Sequence, residues 1–283
     1  MRVLLVTAEA FPDGEERADL LVAALAEVGA TARWVCWDDP AVDWADADLV
    51  AVRATWDYVD RHQAFLEWAR AVEEVTPLLN GAQLFAWNSD KVYLVELARA
   101  GVDVVPTRAV ASAQDVRDAV AELGEVVLKP RVGAGGVGVR VLGADDPPGA
   151  LEVQVPSVVQ PLVPSVRTEG EMSVYVIGGE VVGQVRKVPA AGEIRVHEHL
   201  GGRYERVPLE PGPAARASRA VAVTERLLGC EVAYARVDLL LWAGEWRVSE
   251  VELIEPSLYL SLVPENAVAL AAAVAAAAPG RSS

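Results

Sequence analysis

The chain has 283 residues, of which 52% are hydrophobic, and a formal net charge of −16 at pH 7. This length and composition predict a folded protein with room for two or three subdomains and argue against a disordered chain. The negative charge argues against nucleic acid or an anionic membrane as a partner, because either would be repelled. An anionic small ligand would need local compensation by metal ions or by clustered lysines and arginines.

The first 85 residues alternate between predicted strands and helices. This alternation favours a small parallel α/β layer, whose strand ends face a ligand. Arg53 and Asp57 lie at the end of the third strand and suit the carboxylate and amine of an amino-acid substrate, with Thr55 between them. Trp56 and Tyr58 are equally compatible with the hydrophobic core. The predicted strands cover residues 3–7, 31–37, 49–54 and 84–87, and the predicted helices cover residues 15–28 and 61–75.

Residues 86–163 read as a second, smaller α/β module. Asn88, Ser89 and Asp90 offer N-cap chemistry to a helix that Gly101 ends. The module ends where a buried run reaches two closely spaced prolines, which stiffen the exit. Its predicted helices cover residues 91–100 and 113–123, and its predicted strands cover residues 102–105, 126–130 and 139–142.

A glycine-rich segment, Gly133 to Gly138, fits the dinucleotide-binding pattern G-x-G-x-x-G. That pattern has physical meaning only when the glycines close a strand and open a helix. Here a β-branched run, Val139 to Leu142, follows the glycines and predicts a strand. We therefore expect a hairpin whose glycine loop folds over phosphates with its backbone N–H groups. This context disfavours an NAD-linked oxidoreductase.

The C-terminal part is dominated by predicted hairpins. They cover residues 172–188, 193–207 and 237–254, with helices over residues 213–228 and 267–278. No apolar run approaches the length of a transmembrane helix. The two cysteines, Cys36 and Cys230, have no neighbouring metal-ligand spacing, which predicts a reduced, cytoplasmic protein.

Three carboxylates near the C-terminus form the strongest candidate site. Asp238 interrupts an apolar strand, where an ionised group is costly unless it meets a cation. Glu250 and Glu252 are two residues apart and project from one face of a strand. If the two strands pair, the three acids converge, and Mg²⁺ held by carboxylates and phosphate oxygens would fit between them. An exposed acidic sheet face is an equally good interpretation of these residues alone.

The lysines favour the functional interpretation. Only Lys91, Lys129 and Lys187 occur, whereas arginine supplies the other 22 of the 25 basic residues. The chain is rich in arginine but keeps lysine at these motif positions, which indicates that the positions need the compact charge of an ammonium group to bind phosphate. Arg195, expected on a strand beside Lys187, could hold a carboxylate or an oxyanion, although cross-strand pairing with glutamates is an equal alternative.

Two further interpretations stay weak at this point. Glu171 could accept ribose hydroxyls, but an exposed turn acid is favoured for this residue alone. His197 and His199 would share a strand face and suggest zinc, yet no third ligand has matching spacing.

Taken in order, these motifs resemble the ATP-grasp superfamily, in its glutathione-synthetase-like and ribosomal-S6-modification-like branch. The resemblance covers residues 86–258 and implies that the glycines are a flap over ATP. It implies an α/β (α+β) fold of three subdomains: a substrate-binding part at 1–85, a central part at 86–163, and a metal-binding and catalytic part at 164–283. The motifs are Asn88-x-Asp90-Lys91, Val127-Leu128-Lys129-Pro130 with the glycines, Val159-Gln160-Pro161-Leu162, Asp238 and Glu250-x-Glu252.

The resemblance also implies roles for individual residues. Glu252 departs from the family pattern, in which asparagine is often the last metal ligand, so the number of metal ions stays open. The implied ATP-binding residues are Lys91, Lys129, Gly135, Gly136, Gln160, Leu162 and Glu171. The implied Mg²⁺ ligands are Asp238, Glu250 and Glu252, and the implied catalytic residues are Arg195, Lys187 and Arg236. The implied substrate-binding residues are Arg53, Thr55, Asp57, His197 and Ser257.

The implied activity is that of an ATP-dependent ligase that turns a carboxylate into an acylphosphate for attack by a nucleophile, usually an amine. The segments VRATWDY and WDDPAVDW resemble a subgroup that includes the cyclo-ligase of D-cycloserine biosynthesis, which implies ring closure of O-ureido-D-serine. An intermolecular ligase that joins two small molecules is an alternative, and a non-catalytic nucleotide-binding regulator is a third. The family further implies a homo-oligomer, either a dimer or a tetramer.

Overall fold

The computed structural model describes residues 1–278. Its N-terminal part contains a three-stranded parallel sheet. The strand order is β2-β1-β3, as the β-α-β alternation predicts. Helix α1 packs on one face of this sheet, and α2 and α3 pack on the other. The strands are Arg2–Thr7 (β1), Thr31–Cys36 (β2) and Leu49–Ala54 (β3), and the helices are Ala18–Glu27 (α1), His62–Glu73 (α2) and Gly81–Asn88 (α3).

The strand predicted over residues 84–87 is wrong, because these residues belong to α3. Leu84 and Phe85 are both fully buried but lie in different hydrophobic clusters, so the helix is wedged between two cores. Asn80, in the left-handed conformation with φ of 67°, precedes the helix. Its side chain donates to the carbonyls of Tyr234 and Leu253 at 2.9 and 2.8 Å, contacts that a local pattern does not reveal.

A four-stranded antiparallel sheet follows, in the order β4-β7-β5-β6. The predicted glycine hairpin is confirmed, because residues 133–138 connect the antiparallel strands β5 and β6 and open no helix. The predicted strand at 102–105 is wrong: it is reduced to one bridge between Val104 and Val248, and β4 was not predicted. The elements are Tyr93–Arg99 (α4), Arg108–Val110 (β4), Ala113–Leu123 (α5), Val126–Pro130 (β5), Arg140–Leu142 (β6) and Ser157–Pro161 (β7).

A five-stranded antiparallel sheet, in the order β10-β9-β8-β11-β12, forms the C-terminal part. Helix α6 covers one face of this sheet, and α7 packs between the sheet and α1. The predicted hairpins β8–β9 and β11–β12 are confirmed. The elements are Glu171–Ile177 (β8), Glu180–Val188 (β9), Arg203–Arg206 (β10), Pro211–Leu228 (α6), Tyr234–Trp242 (β11), Glu245–Glu252 (β12) and Glu265–Ala277 (α7).

The hairpin predicted over residues 193–207 is wrong, because only β10 is a strand there and it pairs with β9. The Glu193 carboxylate accepts from its own neighbours, the backbone N–H groups of Ile194 and Arg195, at 2.8 and 3.1 Å. Such side-chain bonds to the backbone compete with a strand ladder. The chain then folds back so closely that a Cβ at Gly202 would lie 1.9 Å from the Val196 carbonyl oxygen.

The three sheets follow the order of the three predicted subdomains. The predicted division after residue 85 falls inside α3, whose buried residues contribute to two hydrophobic clusters. The division after residue 163 falls between β7 and β8. Within residues 1–278, no helix is both long and apolar enough to cross a membrane.

Candidate active site

One face of the five-stranded sheet carries ionisable side chains in register. Asp238 lies opposite Glu250 on β12 and opposite Ser173 on β8. The neighbouring position on the same face pairs Arg236 with Glu252. The intervening residues of β8 and β11 are apolar and belong to the cluster with α6, as period-two alternation requires. The structure thus brings the three predicted metal ligands onto one surface, which we call the charged face.

Asp238 is the most deeply buried acid of the charged face, with 4% of its side chain exposed. Its Oδ1 accepts from Ser173 Oγ at 2.5 Å and from Arg236 Nε at 3.0 Å. Its Oδ2 lies 2.9 Å from Arg236 Nη2 and 3.3 Å from Lys187 Nζ. Burial opposes ionisation, but the Arg236 and Lys187 charges outweigh it and hold the pKa of Asp238 well below its usual value. Both of its oxygens are therefore already bound by donors from the protein.

Glu250 and Glu252 are more open than Asp238, with 28% and 31% of their side chains exposed. Glu250 Oε1 lies 3.1 Å from Lys91 Nζ, and Glu252 Oε1 lies 2.5 Å from Arg236 Nη2. Burial, together with repulsion from Asp238 and Glu250, raises the pKa of Glu252 to about 7 despite Arg236. A further cation beside Glu252 would relieve this repulsion.

Lys187 lies at the opposite side of the charged face, on β9. Its Nζ lies 2.5 Å from Glu171 Oε1, directly across the β8–β9 pair. Burial lowers its pKa, but the Asp238 and Glu171 charges outweigh burial and raise it overall, which keeps the ammonium charged. Glu171, predicted to bind ribose, is thus paired with a lysine.

The predicted ATP-binding residues lie between the four-stranded and five-stranded sheets. Lys129 Nζ donates to Gln160 Oε1 at 2.8 Å, and Gln160 Nε2 donates to the Ser249 carbonyl at 3.3 Å. Lys91 Nζ bridges the sheets, since it also donates to the Gly133 carbonyl at 2.7 Å. Burial lowers the pKa of Lys129, which makes a phosphate partner favourable for its charge. The backbone N–H of Leu162 donates to the Glu125 carbonyl at 2.8 Å.

The glycine loop at residues 133–138 packs against the segment that carries Arg195 and His197. Gly135 and Gly136 have φ of 62° and 72°, in the region that favours glycine. A Cβ at Gly136 would lie 3.1 Å from both Arg195 and His197. Arg195 pairs with Glu193 at 2.6 Å. Burial is the main cause that lowers the pKa of His197 to about 4, so its ring is neutral at pH 7.

A cavity of about 210 Å³ lies between the N-terminal sheet and the loop after β12. Of the predicted substrate residues, Ser257 lines it, and Arg53 lies fully buried behind it, 3.6 Å from Glu15. Thr55 is also fully buried, and its hydroxyl has no hydrogen-bond partner. Residues that line the cavity include Glu15, Trp56, Glu198, Tyr204, Ser257 and Tyr259.

The Asp57 side chain makes its contacts outside the cavity. It accepts a hydrogen bond from Trp37 Nε1 at 3.1 Å and pairs with Arg61 at 2.6 Å. It does not belong to the cavity lining. Sequence pattern placed it next to Arg53, but the chain turns between the two residues.

Two family models match the chain in the same order as its sheets. The N-terminal domain of D-cycloserine synthetase DcsG matches residues 3–80, and the ATP-grasp domain of prokaryotic glutathione synthetase matches residues 90–226. The cycloserine biosynthesis protein DcsG of Streptomyces lavendulae is 33% identical over 274 residues, which cover 90% of this chain and 91% of that protein. The chain belongs to the DcsG family of ATP-grasp ligases.

Two further similarities agree with membership of the DcsG family. A crystal structure of D-cycloserine synthetase DcsG superposes with a TM-score of 0.87 at 28% identity and covers 99% of this chain and 100% of its own. The glutathione synthetase of Agrobacterium fabrum is 28% identical over 174 residues, or 58% of this chain and 52% of that enzyme. The ATP-grasp fold and the activity of an ATP-dependent ligase, predicted from the motif order, are confirmed.

Sequence reasoning missed two residues of this candidate site. Tyr259 lines the cavity, and its ring centroid lies 5.9 Å from the Arg236 guanidinium carbon, so the cavity adjoins the charged face. Its φ of 48° is unusual for a residue other than glycine, and such strain is concentrated at functional sites. Glu15 was assigned only to a helix start. An acid that directly follows a strand-end loop was the available signal for it.

Proposed function

We propose that this DcsG-family ligase activates the carboxylate of a small amino-acid substrate and closes it into a ring, with O-ureido-D-serine as substrate and D-cycloserine as product. The family membership supports this choice, because the DcsG-type N-terminal part accounts for residues 3–80. One observation carries the proposal: the charged face lies next to both predicted binding regions. Its Glu250 lies 3.1 Å from Lys91, a predicted ATP-binding lysine, and its Arg236 lies 5.9 Å from the ring of Tyr259 in the cavity wall.

Ligases of the ATP-grasp family use ATP and Mg²⁺, and the donor set of this chain fits both. Within residues 1–278, no group of three or more His, Cys, Asp or Glu side chains is arranged to hold a metal by itself. This suits Mg²⁺, which is usually bound by one or two carboxylates together with substrate phosphates. Glu250 and Glu252, the two partly open acids, would hold it, with Asp238 behind them as the third carboxylate.

The remaining ATP contacts follow from the position of each group. When bound, ATP would supply the phosphoryl group that turns the substrate carboxylate into an acylphosphate, and Mg²⁺ would neutralise phosphate charge. Lys91 and Lys129 would bind phosphate oxygens under the loop of Gly135 and Gly136. In this proposal Gln160 and Leu162 border the adenine, and Glu171 binds the ribose. Glu171 would then have to weaken its ion pair with Lys187, which is 2.5 Å long here.

The substrate would lie between the cavity and the charged face. Arg236, Lys187 and Arg195 supply the positive charge that stabilises the oxyanion during nitrogen attack on the acylphosphate. His197, neutral at pH 7, has a ring nitrogen that can accept a hydrogen bond beside the glycine loop. On the cavity side, Ser257 is within reach of substrate, whereas Arg53 and Thr55 support the wall and Asp57 takes no part.

The test is release of ADP from Mg²⁺-ATP with O-ureido-D-serine and mass analysis of the product. We expect ADP and phosphate together with D-cycloserine. Ring closure displaces phosphate and leaves the carbamoyl group on the ring nitrogen, and water then hydrolyses that group to carbamate, which breaks down to CO2 and ammonia. Glu250→Gln should lower ADP formation at least ~100-fold, in the range for removal of a transition-state charge contact. Glu180→Gln, an exposed acid at the start of β9, is the matched control and should leave it unchanged.

Other outcomes identify the alternatives. ADP with a product that joins two substrates would indicate an intermolecular ligase, and turnover in Glu250→Gln would contradict the site. No ADP with any amino-acid derivative would favour a nucleotide-binding regulator. The homo-oligomer, dimer or tetramer, and the cytoplasmic location stay predictions, of which light scattering tests the first.

A further inference from the structure

The cavity beside Tyr259 is acidic. Glu15, Glu16 and Glu198 line it, and none of its described lining residues is a lysine or an arginine. Arg53 is buried behind Glu15, but its Nη2 donates to the Pro256 carbonyl at 2.5 Å and lies 3.6 Å from Glu15 Oε1, so it offsets only part of the Glu15 charge. The remaining negative charge attracts a cationic group into the cavity.

Glu15 is the buried acid of the cavity, with 4% of its side chain exposed. Its Oε2 accepts from Ser257 Oγ at 2.9 Å and from the Leu258 N–H at 2.7 Å. Its Oε1 has no hydrogen-bond partner, since Arg53 Nη2 lies 3.6 Å away. A buried carboxylate oxygen without a donor is costly. An ammonium group in the cavity would offset the negative charge that this carboxylate places behind the wall.

The end of the cavity at Tyr259 faces cations rather than acids. Tyr259 separates the cavity from Arg236, whose guanidinium lies over the Tyr259 ring at 5.9 Å, and Lys187 lies beyond Arg236 next to Asp238. A zwitterionic amino acid would therefore find acids around its ammonium group and cations toward its carboxylate. This direction presents the carboxylate to the charged face, where the proposed activation occurs.

The size and lining of the cavity agree with a single small amino acid. Its volume of about 210 Å³ lies below the ~300 Å³ at which pockets for drug-sized ligands begin. Trp56, Tyr204 and Tyr259 contribute aromatic rings, which attract an ammonium group through their faces.

From these observations we infer that the cavity is the subsite for the α-ammonium group of the substrate, with Glu15 as its main counter-charge and Glu16 and Glu198 at its mouth. The inference rests on the proposed function, because it takes the same molecule to present its carboxylate to the charged face. It assigns the amine contact to Glu15 rather than to Asp57.

The experiment compares two ligands that differ only in the amino group, O-ureido-D-serine and 3-(ureidooxy)propanoate. Their Kd values are measured by calorimetry on the full chain with Mg²⁺ and a non-hydrolysable ATP analogue. The wild type should prefer the amino ligand by roughly 30-fold or more, as for a buried charge pair. Glu15→Gln keeps an oxygen for Ser257 and Leu258 but loses the charge, so the preference should fall below about threefold.

Two further variants complete the comparison. Glu9→Gln removes an exposed acid from the same N-terminal loop, outside the cavity lining, and should keep the full preference. Glu198→Gln, on the exposed cavity wall, should reduce the preference by about twofold to fivefold. This variant tests the subsite even if Glu15→Gln does not fold.

Two results would overturn the subsite. One is equal affinity of the wild type for the two ligands. The other is a loss in Glu15→Gln that affects both ligands equally, because a purely structural role would do that. ADP release is recorded separately: an ammonium preference without any ADP would refute the ligation and leave the subsite standing, whereas ADP without an ammonium preference would refute the subsite alone.

Discussion

Replacement of Arg236 by methionine tests whether the charged face depends on its buried cation. Arg236 is 6% exposed and pairs with Asp238 at 2.9 Å and Glu252 at 2.5 Å. Methionine has a similar length and no charge, so it fills much of the space and leaves two acids without this partner. Removal of one member of a buried ion pair costs about 3–5 kcal/mol of folding free energy.

The lower part of that range is expected here. Lys187 still lies 3.3 Å from Asp238 and compensates one of the two acids in the variant. A loss of about 3 kcal/mol corresponds to a fall in the melting temperature of roughly 6–12 °C for a chain of this size class. Urea unfolding followed by tryptophan fluorescence measures the loss directly, since the chain contains 8 tryptophans.

The deficit of Arg236→Met should shrink in acid. The pKa of Asp238 is lowered in the folded protein, so its stabilisation is present above its unfolded pKa, ~3.9, and is lost as the pH falls through the folded pKa. The wild type thus loses in acid the advantage that the variant already lacks. The free energy of unfolding is measured for both proteins at pH 7 and at pH 3, which lies below the unfolded pKa, and the difference should be larger at pH 7.

Arg17→Met is the matched control, because Arg17 and Asp19 form an exposed pair with 51% and 68% of their side chains accessible. Its unfolding free energy should change by less than about 0.5 kcal/mol. A loss below about 1 kcal/mol in Arg236→Met, or a deficit that stays constant from pH 7 to pH 3, would refute the reasoning.

Three other substitutions test separate parts of the site. In Gly138→Ala, the new Cβ would lie 2.8 Å from Pro130 Cγ, and the backbone φ of residue 138 is 73°, so we expect the KM for ATP to rise about tenfold in steady-state kinetics. An unchanged KM would contradict a tightly packed flap. Lys129→Met should lower ADP formation at least ~100-fold, because a phosphate contact is lost. Urea unfolding should show equal or higher stability, because burial disfavours the lysine charge, and retained turnover would exclude a phosphate role for Lys129. Ser173→Ala removes the hydroxyl that donates to Asp238 at 2.5 Å and should cost about 1.5–3 kcal/mol in urea unfolding; a change under about 0.5 kcal/mol would show that this bond contributes little.

Local patterns predicted the elements whose geometry depends on neighbouring residues in the chain. The helix at residues 113–123 is found with those bounds, because Ser112 and Asp115 form a capping box and Gly124 ends it. The glycine hairpin was distinguished from a dinucleotide turn by the strand that follows the glycines. Period-two alternation placed Glu250 and Glu252 on one face before any strand pairing was known.

Elements shaped by distant contacts were predicted wrongly. Residues 84–87 are apolar enough for a strand, but α3 forms because it packs between two clusters and because Asn80 binds carbonyls more than 150 residues away. The segment around Arg195 has a strand-like composition, yet Glu193 binds its backbone instead. Propensity is a weak guide where tertiary contacts decide.

Residue types and short spacings are enough to establish the order of the motifs, the family that they resemble, and the acids and lysines of the charged face. Which side chains meet depends on the packing of distant segments: Arg236 and Lys187 contact Asp238, and Asp57 lies away from the cavity. Glu15 joins Ser257 across 242 residues of chain. No local pattern encodes such a contact, since it exists only after the N-terminal sheet and the loop after β12 have packed together.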